Sequence, residues 1–384
     1  VAFEVEKQKI SASQLMQAIA DGEEIKLSLC TVTGVLDINR FLEPEEKFDT
    51  SNLDIRRDGD CTRLTLPQYI VFDRCTFEDN VVFSGPWSQP ESISVEFKVN
   101  VIFNRSIFRG QSRFRNAVFR GDAGFDGCAF DGVATFRKAV FHAEAKFRTA
   151  AFNGYCLLGE SIYHGPANFT NTHFVRGANL SDVVFLGPTN FAGVYSSSRS
   201  VPEHSNICFA RGKYGDDESF WRFVKQSASD AGYYQMAGES FYRERCARLR
   251  QKFLGDNFDS LGWKDKALRV VGGVRLLPEV AFGKWLFGYG ERPIRILTFS
   301  LLIILICGLI FSADGALSLH GQPQGGSFLQ GLYFSTITFT TLGYGDLYPT
   351  ADTIYRQVAM IEAASGALLV ALFVVAMAKR FSRS

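Results

Sequence analysis

Seven consecutive residues, Thr340-Thr341-Leu342-Gly343-Tyr344-Gly345-Asp346, have the types and spacing for chemistry carried by oxygen atoms. For successive carbonyl oxygens to turn toward one axis, the backbone must alternate between conformations, and glycine takes positive φ without steric cost. Gly343 and Gly345 supply that freedom, Thr341 adds a hydroxyl, and Asp346 closes the run with a carboxylate. A second Gly-Tyr-Gly at 288–290 has no threonine before it and Glu291-Arg292-Pro293 after it, so it reads as a turn. The tripeptide says little; its flanks decide. Covalent chemistry has no comparable candidate. His142, His164, His173, His204 and His320 form no local nucleophile or metal motif, and no Gly-x-Gly-x-x-Gly strand–helix unit is present. The 8 cysteines lie singly, with no Cys-x-x-Cys pair. They read as reduced, mostly buried thiols of a cytoplasmic body. An enzyme is not expected, and neither is a cofactor.

The run lies between two apolar segments, residues 294–311 and 353–378, each able with its flanks to span a hydrocarbon core of about 30 Å. Between them come a polar turret, 312–326, and a helix-like segment, 327–340. That segment is too short to span, but it suits a re-entrant helix at membrane depth where protein surrounds it. Its C-terminal dipole end would favour a cation. No Lys or Arg occurs from 296 to 355, whereas Arg292, Arg295, Lys379, Arg380 and Arg383 flank the two outer ends. The bias of Lys/Arg toward the cytoplasm places both termini inside and Asp346 outside. Glu362 falls inside an apolar helix, where a carboxylate is costly unless paired. It is expected to hydrogen-bond behind the run or to face the space the run lines, rather than to meet lipid.

A Thr-x-Gly-Tyr-Gly-Asp run in this setting resembles the selectivity filter of potassium channels, and residues 285–384 together resemble the two-transmembrane class of that family. The resemblance implies first transmembrane helix 293–312, pore helix 327–340, filter 341–345 and second transmembrane helix 353–380. Carbonyls of Thr341, Leu342, Gly343 and Tyr344 would replace the hydration shell of K⁺, with the Thr341 hydroxyl closing the innermost site and Gly345 completing the filter. Leu342, which stands where Val is more frequent, and Tyr344 would point outward and pack. Asp346 would ring the outer mouth with negative charge. Thr340, Tyr333, Phe334 and Glu362 would support the filter, the two aromatics as a cuff. Gly366 would be a gating hinge, with close packing against a neighbouring helix the other reading. One filter segment per chain against the four an ion needs implies a homotetramer with cyclic symmetry. No S4-like row of arginines occurs, so voltage sensing is not expected.

The most regular feature lies upstream. From Phe103 to Phe191 a large apolar residue recurs in alternating steps of five and six, seventeen positions in all, with a small residue two before each. A helix cannot keep such positions on one face. A solenoid can, if each step is one flat side of a coil with both residues inward. Stacked coils about 4.8 Å apart would then pair backbone to backbone. The spacing is visible earlier, at Leu66, Phe72, Phe77 and Phe83, and resumes at Phe97 after a loop with Pro86 and Pro90. The pattern resembles the pentapeptide-repeat family, which implies a right-handed, four-sided β-helix. One extra residue in every second step gives an eleven-residue unit, two units per coil, with the extra residue at a corner. Between Phe97 and Tyr195 stand eleven Lys/Arg and six Asp/Glu. DNA mimicry needs an acidic surface and is not expected. The arginines at 105, 109, 113, 115 and 120 could touch anionic lipid or nucleic acid, but a charge run is usually a solvated face, and no nucleic-acid partner is expected.

The 384 residues therefore divide into a multidomain chain: cap helix 1–24, quadrilateral β-helix 25–212, helical connector 213–273, interfacial slide helix 274–291, and an all-α two-transmembrane tetrameric pore 292–384. The opening residues show no secretory signal, which keeps the N-terminal body cytoplasmic. The function expected is passive K⁺ conduction across a plasma membrane of bacterial type. K⁺ is the permeant ligand, the bilayer and three further copies are the partners, and the β-helix is an assembly or regulatory module open to an unidentified cytoplasmic ligand. The rivals are a nonselective cation channel and a membrane-anchored interaction protein with a silent pore.

Overall fold

Two compact units divide the chain, Val1–Lys266 and Ala267–Ser384. The computed structural model describes residues 2–42, 48–59, 61–85, 89, 92–197, 200–255, 258–350 and 354–381. Pro86, Pro90, Thr353 and Arg383 lie outside the described residues.

In the first unit each side-chain position repeats every twenty-two residues: Ala123 pairs in parallel with Ala145, Ala145 with Ala167, and Phe119 with Phe141. Two eleven-residue units thus make one coil. Short strands fall on four sides and stack into three eight-stranded sheets and one six-stranded sheet. Among the described residues of this unit the ladders are parallel save the hairpin of Asp54–Asp58 with Cys61–Leu66. The large residues and their small companions both point inward; Phe125, Phe136 and Phe147 are fully buried with Ala123, Ala134 and Ala145. Rings stack one coil apart, Phe125 on Phe147 at 5.1 Å and Phe119 on Phe141 at 4.8 Å. That distance is close to the strand spacing.

The corners explain the alternation of five and six. In the five-residue steps the second residue after the large one turns left-handed, with φ of 55–58° at Arg105, Asn116, Lys138, Thr149 and Asn171. In the six-residue steps the same place is often glycine, as at 110, 132 and 154. Coils there approach so closely that a Cβ on Gly154 would lie 2.0 Å from the Gly132 carbonyl oxygen, and one on Gly132 would lie 2.4 Å from that of Gly110. The extra residue sits at a corner, and at these stacked positions the lack of a Cβ lets the coils approach so closely.

Helix α1 (Ala12–Ala20) starts with a capping box between Ser11 and Gln14 and buries Leu15, Met16 and Ile19. It is not a separate cap over 1–24. Strands Ala2–Glu6 and Lys9–Ser11 precede it and pair with Glu24–Ser28 and Thr31–Thr33. Phe3 and Val5 alternate into the core, so the coil begins at Ala2 and the helix is an insertion within it. At the other end α2 (Glu218–Asp230) lays Phe220 and Phe223 on the last rings, 5.2 Å from Phe191 and 5.9 Å from Phe174. Helix α3 (Tyr234–Phe253) is held to α2 through buried Glu244, which accepts from Arg222 Nε at 3.1 Å and Lys225 Nζ at 2.7 Å. Helix α4 (Trp263–Gly272) follows with none of its residues buried.

In the second unit the expected slide helix over 274–291 is not one helix. Gly273–Leu276 and Gly288–Gly290 are 3-10 turns, and Glu279–Leu286 is a π-helical turn. Pro278 lacks an N–H to continue a helix. Left-handed φ values of 55°, 53° and 82° at Gly288, Tyr289 and Gly290 end it. Helices α5 (Pro293–Phe311) and α7 (Ile354–Phe381) are long and apolar enough to cross a membrane. Between them α6 (Phe328–Phe339) has 12 residues, about 18 Å. An antiparallel sheet of Leu317–Leu319, Gln322–Pro323 and Leu347–Pro349 joins the chain after α5 to the chain before α7.

Two outcomes follow from the solenoid. Gly154→Ala, a single methyl on a corner, should destabilise the first unit by about 1–3 kcal/mol through overpacking, read as a lower thermal midpoint by circular dichroism; an unchanged midpoint would mean the corner can relax. On one side, the rings of His142 and His164 stack at 4.8 Å, and Arg120 Nη1 lies 3.1 Å from His142 Nε2. A guanidinium only donates, so Nε2 accepts and the ring proton is on Nδ1. Partial burial, then the Arg120 charge and His164, hold His142 below the ordinary imidazole range. The unfolded chain therefore takes up this proton first. Stability from this site should be full above about pH 6.5 and fall as the pH drops below it. A midpoint that does not move on acidification, with His142 titrating normally by NMR, would contradict this.

Candidate functional site

Glycines set α6 between α5 and α7. A Cβ on Gly331 of α6 would lie 2.3 Å from the Gly308 carbonyl oxygen of α5, and one on Gly366 of α7 would lie 2.0 Å from the Phe339 carbonyl oxygen of α6. Small residues permit such crossings where lipid gives helices no hydrophobic reason to associate. Of the two readings of Gly366, close packing is the one the geometry carries, and α7 runs unbroken through it from Ile354 to Phe381.

The chain leaves α6 through a tightened turn. The N–H and hydroxyl of Thr340 both donate to the Thr336 carbonyl, at 3.0 and 2.7 Å. Leu342 N–H donates to the Ile337 carbonyl at 3.0 Å. Gly343 then takes φ 51° and Gly345 φ 79°, the positive values their place requires. Thr341 has φ 58° as well. A β-branched residue rarely enters that region, and such strain persists where surrounding structure imposes it; nothing in the residue types signalled it. Residues 341–346 are all exposed on the single chain, Leu342 at 62% and Tyr344 at 70%. The chain itself provides no packing for these two side chains.

The expected aromatic cuff divides. Tyr333 Oη donates to Asp346 Oδ2 at 2.9 Å, tying α6 to the end of the run. Phe334 is buried instead edge-on to Phe311 of α5, with ring centroids 4.8 Å apart. One step along a helix is a rotation of about 100°, so neighbours cannot both face the run. Glu362 lies behind α6, bonded to Ser335, whose hydroxyl is also 2.8 Å from the Ile304 carbonyl oxygen of α5. Ser335 was not among the sequence candidates. Its signal was faint: one of several hydroxyls in a largely apolar helix, four residues after Gly331.

Taken together, residues 340–346 carry backbone oxygens, threonine hydroxyls and a terminal carboxylate on an exposed segment tied to α6. Oxygens of these kinds can ligate a dehydrated monovalent cation.

Residues 297–383 match the family model described as ion channel, a span that takes in most of α5, all of α6, the 340–346 run and α7. Residues 103–151 and 147–194 match the model described as pentapeptide repeats (9 copies). No curated protein and no solved structure matches the chain.

The crossing of α5 and α6 is testable without any transport assay. Gly331→Ala should lower the thermal midpoint of the protein in lipid, a cost of about 1–3 kcal/mol for a methyl with no room. Gly325→Ala is the control, because a Cβ there meets nothing within 4 Å. Equal midpoints for the two variants would remove the close crossing.

Proposed function

We propose that this chain, an ion channel carrying pentapeptide repeats ahead of its pore in sequence, passes K⁺ down its gradient through a homotetramer. The observation that carries the reading is the left-handed backbone at Gly343 and Gly345 within Thr-Leu-Gly-Tyr-Gly-Asp, on an exposed segment between two membrane-capable helices. Four such segments about one axis would turn the carbonyls of Thr341, Leu342, Gly343 and Tyr344 inward, replacing the water around a K⁺ ion. Neighbouring subunits would cover Leu342 and Tyr344, which their own chain leaves bare. Asp346, held by Tyr333, raises the cation concentration at the mouth. The C-terminal end of α6 adds the negative pole of its dipole.

The lack of Lys and Arg from 296 to 355, against Arg292, Arg295, Lys379 and Arg380 at the far ends, supports a plasma-membrane protein with both termini in the cytoplasm. The β-helix is then a cytoplasmic assembly or regulatory module.

The test is K⁺ flux through purified full-length protein in liposomes, with Na⁺ replacing K⁺ in half of the preparations. K⁺ flux that collapses in Na⁺ is expected, and it should be lost in Gly343→Asp and in Tyr344→Ala while the first unit keeps its thermal midpoint. Equal Na⁺ and K⁺ fluxes would make this a nonselective cation channel. Retained K⁺ selectivity in both variants would remove the filter assignment.

A further inference from the structure

Behind the filter the second unit holds one carboxyl whose hydrogen-bond partners can be counted. Glu362 on α7 is 1% exposed. Its own chain encloses it to that degree, so a neighbouring subunit could not reach it. Its Oε1 is bonded to Ser335 Oγ of α6; its Oε2 has no oxygen or nitrogen partner among the described residues, and the Cys307 thiol of α5, a weak donor, is the further group that reaches the carboxyl. Ser335 Oγ also lies 2.8 Å from the carbonyl oxygen of Ile304 on α5. A carbonyl oxygen only accepts, and a serine hydroxyl has one hydrogen. That hydrogen cannot serve Ile304 and Glu362 at once. Were Glu362 ionised, one of the two contacts would set oxygen against oxygen. A carboxylate with no donor beyond that hydroxyl and a weakly donating thiol would also be sealed at membrane depth, the costliest setting for a charge. The groups facing it offer no counter-charge. From α5 comes the Cys307 thiol and from α6 the Ser335 hydroxyl, and no Lys or Arg occurs from 296 to 355. On α7 the nearest ionisable residues in sequence are Tyr355 and Arg356, about two turns earlier.

We propose that Glu362 keeps its proton and donates it to Ser335, which donates its own to the Ile304 carbonyl. The result is a one-way chain of hydrogen bonds from α7 through α6 to α5. Glu362 is then a positioning residue. It touches no permeating ion; it fixes α6, the helix from whose end the filter hangs. Loss of that proton leaves two acceptors competing for one hydroxyl. The seat of α6 loosens, and ion flux declines on the alkaline side. This last consequence rests on the channel reading; the proton assignment does not.

Infrared spectroscopy of full-length protein in lipid at neutral pH reads the proton directly. A protonated-carboxyl stretch is expected in the parent and absent in Glu362→Gln. K⁺ flux across a pH series then separates positioning from bulk structure. The Gln amide keeps a donor in the same place, so Glu362→Gln should conduct within about threefold of the parent and lose the alkaline decline. Glu362→Ala strips Ser335 of its donor and should fall roughly tenfold or more. Should the Ala variant fail to fold, the Gln variant and the spectrum still decide. No carboxyl band lost on substitution at 362, or Glu362→Gln as impaired as Glu362→Ala, overturns the proposal. A band present in a protein that never conducts under any K⁺ gradient upholds the proton and overturns the channel reading instead.

Discussion

A peptide group removed from water has to be given a hydrogen-bond partner, and that demand runs through every part of this chain. In the solenoid the partner is a peptide one coil away: the Ala123 N–H donates to the Glu144 carbonyl at 2.9 Å, beside its register neighbour Ala145. In α5 and α7 it lies within the helix, the arrangement a membrane allows. The run after α6 is different: residues 341–346 are exposed, and the glycines at 343 and 345 take left-handed backbone there. In the proposed tetramer the missing partner is the permeating ion itself.

Meeting the demand brings backbones close, and both units solve the crowding in the same way. Coils meet at Gly132 and Gly154, helices at Gly308 and Gly331, and in each pair an added methyl would strike a carbonyl oxygen. What fills the remaining volume differs. The solenoid packs parallel Phe rings at the spacing of its strands, whereas the pore unit uses single edge-on contacts such as Phe311 with Phe334. The polar groups it buries, Ser335 and Glu362, answer to each other and to a helix carbonyl.

Much of this was legible in the residues. The inward column of Phe103 to Phe191 could be read because strand side chains alternate strictly and coils stack in register, so one misplaced residue would break every later step. The left-handed backbone at Gly343 and Gly345 could be read because positive φ narrows the choice of residue so sharply. Other features depended on partners remote in sequence. The glycine corners show only when one coil is set upon the next. Phe334 and Tyr333 part company because α5 lies on one side of α6, which their adjacency does not reveal. The span at 274–291 has helix-like composition, yet its helical turns change type along it and the left-handed turn at 288–290 ends it. Thr341 bends against its own preference, held by the end of α6.

The twenty-two-residue register of the solenoid also bears on how its gene can change. Five-residue and six-residue corners alternate twice around each coil. A duplication or deletion of one whole coil would keep large residues above large residues and each kind of corner above its own kind, and one eleven-residue unit would keep the alternation of corners as well. A slip of a single step would set left-handed corners against glycine ones. Length in this domain can therefore vary between lineages only in quanta.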